Sequence, residues 1–287
     1  MVYIKRRITR PVFLGRVQVG GGAPVSVQSM TNTDTRDVRA TLGQIEELVA
    51  EGCEIIRVAV PDQQAAAALP QIIKALEIPV IADIHFDYRL ALESIKAGVS
   101  GLRINPGNIG GRNRVAEVVA AAKEQNIPIR IGVNAGSLEK RLLEKYNGVT
   151  PEAMVESALD QIKLFEELSF REIKISLKAS SVPLMLAAYR QLAEKVDYPF
   201  HVGVTEAGTL SSGAVKSAVG IGILLNEGIG DTIRVSLTGH PVHEVRVAYE
   251  ILKSLGLRQR GVELISCPTC GRTQIDLIKL AGKVEER

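Results

Sequence analysis

An eight-stranded (β/α)8 barrel is the fold class this sequence predicts. Three observations predict it. Short β-branched strands recur, with helical patterns filling the gaps between them. Those helical patterns commonly stop at a glycine, which takes the left-handed conformation cheaply after a last turn. Eight such β-then-α units over about 250 residues is the arithmetic of the barrel. A doubly wound open sheet is the second choice, disfavoured by eight parallel strands and the lack of a glycine-rich first turn.

Arg10 to Val27 opens the chain as a β-hairpin, with Val12, Leu14, Val17 and Val19 apolar and Gly20-Gly21-Gly22 breaking the run. The eight barrel strands follow at Val25–Ser29, Ile55–Val60, Val80–His85, Gly101–Asn105, Ile129–Asn134, Ile173–Lys178, Phe200–Thr205 and Thr232–Thr238. Helical patterns include Val38–Ala50, Arg89–Ala97, Val115–Gln125, Glu152–Leu168, Pro183–Val196, Val215–Asn226 and Val242–Leu255. The 287 residues are 46% hydrophobic and 23% charged, the balance of an ordinary soluble globular protein. A net charge of +3 does not predict nucleic-acid or membrane binding. No apolar run approaches the ~18 residues that span a bilayer, and basic Met1 to Arg10 leads into no signal-peptide h-region. Three cysteines make no disulfide framework, so a reducing cytoplasm fits best.

Within the strands, polar residues alternate with apolar ones. Side chains alternate faces with period two, and the apolar face must meet the helices. The polar face therefore points into the barrel, where Val, Ile and Leu are the usual filling. Here it would carry Ser26, Gln28, Arg57, Asp83, His85, Arg103, Asn105, Arg130, Asn134, Lys174, Ser176, Lys178, His201, Thr205, Arg234 and Ser236. Six of these are Arg or Lys and one is a carboxylate, a surplus larger than the net charge of the whole chain. Unpaired buried cations cost several kcal/mol each, so a bound polyanion is the economical explanation. Arg forks suit phosphate oxygens. The bland alternative is that some of these cations pair with loop carboxylates.

Other candidates carry less. Glu206 follows the seventh strand, at the end where barrels do their chemistry, and suits an acid or base; a salt bridge is the alternative. Asp83 and His85 could hold a divalent metal with His201, against the local positive charge. Lys174 or Lys178 could form a Schiff base. The Asn105-Pro106-Gly107-Asn108 turn offers backbone amides to an anion. His240 and His243 read as capping or solvated, and Cys53, before the second strand, as a buried structural thiol. Cys267 and Cys270 form a C-x-x-C pair that suits a metal or redox centre, although half a zinc knuckle or a redox disulfide has the same spacing.

The motifs Gln28-Ser29-Met30-Thr31-Asn32-Thr33, Ala82-Asp83-Ile84-His85-Phe86, Arg103-Ile104-Asn105-Pro106-Gly107-Asn108, Arg130-Ile131-Gly132-Val133-Asn134, Lys178-Ala179-Ser180, Gly203-Val204-Thr205-Glu206-Ala207-Gly208, Gly230 to Thr238 and Ser266 to Thr273 resemble the 4-hydroxy-3-methylbut-2-enyl diphosphate synthase family, from about Ile8 onward. The resemblance implies a TIM barrel over residues 1–260 and the beginning of a C-terminal iron–sulfur domain over 261–287. It implies reductive ring opening and dehydration of 2-C-methyl-D-erythritol 2,4-cyclodiphosphate in the methylerythritol phosphate route to isoprenoids. The alternatives are a Schiff-base aldolase and a non-catalytic polyanion-binding barrel. Reduced flavodoxin or ferredoxin would supply electrons, and a homodimer would set each cluster over the other subunit's barrel. Arg57, Arg103, Arg130, Lys178 and Arg234 match positions that hold the diphosphate, and Asn134, Thr205 and Ser236 line the same pocket, with Asp83 among the substrate-binding residues. Glu206 matches the proton-transfer carboxylate, and Cys267 and Cys270 match two ligands of a [4Fe-4S] cluster. The family continues with a further Cys and a Glu that also ligate iron, whereas this chain ends at Arg287. The C-terminal domain is thus expected to be truncated, the segment after about Val262 poorly anchored, and the chain as given without a stable cluster or reductase activity.

Overall fold

A computed structural model describes residues 4–105 and 107–285. Met1 to Tyr3, Pro106, Glu286 and Arg287 lie outside the described residues, and with them the ends of the 1–260 and 261–287 assignments and one residue of the Asn105 turn. A hairpin, β1 (Val12–Leu14) and β2 (Val17–Val19), precedes eight parallel strands: β3 (Ser26–Met30), β4 (Ile55–Ala59), β5 (Val80–Asp83), β6 (Gly101–Ile104), β7 (Ile129–Asn134), β8 (Ile173–Lys178), β9 (His201–Val202) and β10 (Thr232–Ile233). Each strand from β3 to β8 pairs with the next, β10 pairs with β9 and returns to β3, and an Ile175–Phe200 bridge joins β8 to β9. The sheet is therefore a closed barrel, which leaves no edge.

Helices α1 (Val38–Ala50), α2 (Gln63–Lys74), α3 (Tyr88–Lys96), α4 (Arg112–Glu124), α5 (Lys140–Lys145), α6 (Pro151–Glu167), α7 (Val182–Ala193), α8 (Leu210–Asn226) and α9 (Pro241–Ser254) follow in order. Their apolar faces meet the outward faces of the strands in one continuous core. The starts are chemically marked. Asp37, Asp62, Asp87, Thr150 and Ser181 each accept a hydrogen bond from an amide of the first turn.

Strand positions agree with the sequence pattern, except that the last two strands are two residues long rather than Phe200–Thr205 and Thr232–Thr238. For the last strand the physical reason is competition for amides at the mouth. The Leu237 amide donates to the Glu244 carboxylate at 2.9 Å, and Thr238 N to the Gly208 carbonyl. The chain keeps its course while its bonds leave the ladder. Helix α8 begins at Leu210, five residues before the apolar periodicity starts at Val215, because Ser211, Ser212 and Gly213 dilute that periodicity. Gly213 is required there, since a Cβ would stand 2.6 Å from Leu237 Cδ2.

The hairpin closes the N-terminal end of the barrel. Leu14 and Val19, both fully buried, pack with Ile55 and Ile81 in a separate apolar cluster. Gly101 leaves room for Leu14, whose Cδ2 would lie 2.5 Å from a Cβ there. Asp231 fastens the same end, accepting from the Phe200 amide at 2.8 Å, Thr9 Oγ1 at 3.1 Å and Arg6 Nη2 at 3.0 Å.

After α9, Arg258 binds Glu54 and the Val25 carbonyl, and Arg260 the Ala50 carbonyl. From Gly261 the chain runs exposed through the C-x-x-C turn to α10 (Leu277–Glu285). Val262, Ile265, Ile275 and Ile278 are all more than 60% exposed. The hairpin plug gives a direct test. Leu14→Ala should cost about 2–5 kcal/mol of unfolding free energy, read from urea denaturation midpoints; a loss below about 1 kcal/mol would mean that the plug is not part of the core.

Candidate active site

The inward polar faces meet at the C-terminal end of the strands in a cavity of about 250 Å³. Arg57, Asp83, Arg103, Arg130, Asn134, Lys178, Thr205, Arg234 and Ser236 all line it, joined by Met30, His85 and Ser176. The nine residues singled out for the substrate in the sequence thus come to one place, from β4 through the turn after β10. Larger depressions lie on the outside, about 660 Å³ beside Lys163 and Tyr198 and about 460 Å³ between α8 and α9. The first mixes both signs of charge and the second is mostly apolar, so neither gathers the surplus the lumen holds.

Asp83 is the hub. Its carboxylate meets Arg103 Nη1 at 3.2 Å, Arg57 Nε at 3.5 Å and His85 Nε2 at 3.4 Å. Burial pushes this carboxyl up, but Arg57, the His85 hydrogen bond, Arg103 and Arg130 together hold it well below the usual carboxylate range. Burial and the neighbouring cations act the other way on the bases. Arg57 is pulled down to about 10. Lys178 falls well below its ordinary value through burial, then Arg130 and Arg234. Lys174 does so through burial, then Arg130. The lumen therefore disfavours its own positive charges, and an entering anion would reverse that.

One carboxylate was not foreseen. Glu244, 5% exposed in the first turn of α9, reaches Arg234 Nε at 3.4 Å and Ser29 Oγ at 3.4 Å. In the sequence it reads as an acidic residue complementing a helix N-terminus behind Pro241. Only the packing of α9 on β3 turns it toward the barrel. The surplus is therefore six cations over two carboxylates rather than one. Met30 was likewise quoted only within a motif; its sulfur lies 2.8 Å from Arg57 Nη2 and 3.7 Å from Arg234 Nη1.

Two glycines make room for the charges. A Cβ at Gly132 would stand 2.9 Å from Arg103 Nε. One at Gly203 would collide with the Arg234 carbonyl and sit 3.1 Å from Lys178 Nζ.

Several candidates fall outside the cavity. Glu206 is exposed at the rim with φ +52°, a left-handed backbone that a glutamate adopts only under constraint. Lys174 and His201 lie buried beneath the cavity, and Asn105 is buried at the end of β6. Among the described residues no group of three His, Cys, Asp or Glu could hold a metal, so the Asp83–His85–His201 reading finds no support. Cys53 is buried, with burial pushing its thiol up to about 12. His240 stands at the α9 N-cap without a side-chain capping bond and pairs with Glu47. Cys267 and Cys270 are exposed around a turn in which Thr269 has φ +65°. Hydrogen bonds from Arg272 and Thr273 lower the Cys270 thiol, as suits a thiolate ligand. Two thiols are half of what a cubane takes, and the described residues bring no third ligand to them.

Comparison with known proteins agrees with this geometry. The family model described as the GcpE TIM-barrel domain matches residues 9–249. A 4-hydroxy-3-methylbut-2-en-1-yl diphosphate synthase (flavodoxin) of Maridesulfovibrio salexigens is 65% identical over 283 residues, covering 99% of this chain and 79% of the relative. The protein of that name from Geobacter sulfurreducens is 65% identical over 97% of this chain and 79% of its own length. That from Clostridium acetobutylicum is 61% identical over 99% and 81%. Among solved structures, dihydropteroate synthase from Yersinia pestis superposes with a TM-score of 0.61 at 12% identity, covering 86% of this chain and 97% of that one. A 3-dehydroquinate dehydratase from Geobacillus kaustophilus gives 0.59 at 15% identity, over 86% and 98%. These two share the fold alone. With the family model spanning the barrel and relatives above 60% identical over nearly its full length, the chain belongs to the GcpE family of 4-hydroxy-3-methylbut-2-en-1-yl diphosphate synthases.

Proposed function

We propose that the barrel mouth binds 2-C-methyl-D-erythritol 2,4-cyclodiphosphate through its phosphates and presents it for reductive ring opening and loss of water, yielding 4-hydroxy-3-methylbut-2-enyl diphosphate. The single observation that carries this reading is the cavity itself, where Arg57, Arg103, Arg130, Lys178 and Arg234 face two carboxylates and each other. A dianionic ring system supplies two of the negative charges the cavity lacks, and Asn134, Thr205 and Ser236 offer neutral hydrogen bonds around it. The relatives' names specify flavodoxin, which we take as the electron donor here. Glu206, at the rim, is assigned the proton that accompanies the departing oxygen.

Cys267 and Cys270 would hold part of a [4Fe-4S] cluster, which would supply the electron-transfer chemistry. The barrel residues of this chain bind the substrate, orient it and move a proton. We divide the chain near residue 260, where Arg258 and Arg260 last grip the barrel. The exposed apolar residues beyond, from Val262 to Ile278, favour a second copy as the surface that covers them. Three free thiols favour a reducing compartment, the cytoplasm. A Schiff-base aldolase would suit a depressed Lys178, but that depression already follows from burial and the neighbouring guanidiniums.

Pyrophosphate tests the cavity without any cluster. It should bind with an affinity that falls as salt rises. Arg57→Ala should weaken it by about 1.5–3 kcal/mol, the value of a charge-assisted hydrogen bond; equal affinity in wild type and variant would remove the lumen from the reading.

Binding should also take up protons. Lys178 starts with a depressed pKa, and the phosphates restore it. In the window between the two values the complex holds more protons, so affinity rises as pH falls. Calorimetry in two buffers of different ionisation enthalpy measures the uptake. Without ligand the same depression makes the lysine a cost to folding, full below its folded pKa and gone above its unfolded value, so stability rises with pH across that window. Proton release on binding would contradict this.

Glu206→Gln should leave pyrophosphate affinity unchanged, because Glu206 does not line the cavity. In a full-length version that carries the complete cluster domain, turnover of the cyclic diphosphate with reduced flavodoxin should fall about 10²–10⁴-fold. Near-normal turnover would assign the proton to another group.

A further inference from the structure

We propose that the lumen beneath the diphosphate cavity is a second anion site, which holds one small monovalent anion of halide size between Arg130, Lys174 and His201. The six lumen cations fall on two levels. Lys178 and Ser176 line the upper cavity, while Lys174, on the same face of β8, lies one pleat below Ser176 and in register with Arg130 of β7. Across the barrel, Thr232 stands in register with both His201 and Ser26. Beneath them the hairpin plug of Leu14 and Val19 closes the barrel with Ile55 and Ile81. Lys174 and Arg130 are 1% exposed and His201 is fully buried.

This level holds more unpaired donors than acceptors; its unpaired acceptors among the described residues are Gln28 Oε1, one ring nitrogen of a neutral His201 and the Ser26 and Thr232 hydroxyls, which can also donate. Lys174 Nζ, Arg130 Nε and Nη1, and both His201 ring nitrogens have no hydrogen-bond partner among the described residues. The two lumen carboxylates are engaged above, Asp83 by Arg57 and Arg103, and Glu244 by Arg234. Water entering this level would bring two donors of its own with its lone pairs, whereas an anion brings acceptance alone. Burial and the cations around them push both Lys174 and His201 away from their charged forms. One negative charge balances the one cation that the upper cavity does not share, Lys174, and a halide accepts from several directions at once. Arg130, which lines the upper cavity, would touch both anions. Apart from Arg130 the site uses none of the residues given to the cyclic diphosphate, so it stands or falls separately from that reading.

Bromide is the probe. Crystals of the whole chain in bromide with saturating pyrophosphate should show an anomalous peak within hydrogen-bond distance of Lys174 Nζ, and Lys174→Met should lose it. In solution, chloride should raise the melting temperature of the wild type saturably over gluconate at equal ionic strength, with pyrophosphate present in both, and the difference should vanish in Lys174→Met. Bromide found only in the upper cavity and displaced by pyrophosphate would overturn the proposal. So would a peak-free lower level holding only water, or equal melting temperatures in chloride and gluconate. If Lys174→Met does not fold, the wild-type bromide and chloride measurements decide alone. Failure to bind pyrophosphate would undo the proposed function, and a bromide peak at Lys174 would still leave this site standing.

Discussion

Repulsion among like charges in a confined lumen is the constraint on which the rest of this structure depends. Two unit charges 4 Å apart cost about 4 kcal/mol at an effective dielectric constant of 20. The strands bring six cations inward, and Asp83 and Glu244 compensate only part of that charge. A fold with a plain apolar barrel interior would be easier to stabilise. Here the interior is held open for negative charge, and the depressed basicity of Lys174 and Lys178 is the electrostatic mark of that arrangement.

The apolar framework meets the cost elsewhere. The outward strand faces and the helices make one continuous core, while the hairpin supplies a second, smaller one at the barrel floor. Charge and grease are therefore segregated along the barrel axis, with apolar packing at the N-terminal end and ionised groups toward the mouth. Glycines at 132 and 203 sit where long side chains pass close to backbone; a Cβ at 132 would collide with Arg103, and one at 203 with the Arg234 carbonyl beside Lys178. Glu206 breaks the local rules in another way, holding a left-handed backbone at the rim. Such strain at the mouth of a barrel belongs to function more readily than to stability.

The C-x-x-C segment obeys a different logic. Nothing of the barrel buries it, and its cysteines make their contacts within their own turn. The proposed substrate and cluster chemistry would thus fall to separate parts of the chain. The relatives, of which this chain spans about four-fifths, are similar over both parts.

By itself the sequence determined the barrel and the polarity of its interior. Period-two alternation in Ile129–Asn134 and Ile173–Lys178 is local information, and both strands form over those same residues. The nine cavity residues were legible for the same reason, since each alternates with an apolar neighbour that has to face a helix. The tertiary structure decided what no local pattern carries. It ended the last strand early, because Glu244 takes an amide the ladder would have used. It turned that glutamate from a helix-end charge into a partner for Arg234, because α9 packs against β3. It split the cations into two levels, with Lys174 and His201 below the cavity, because depth in a barrel depends on strand register and tilt. Register is set by pairing between segments distant in sequence, and so it exists only once the barrel has closed.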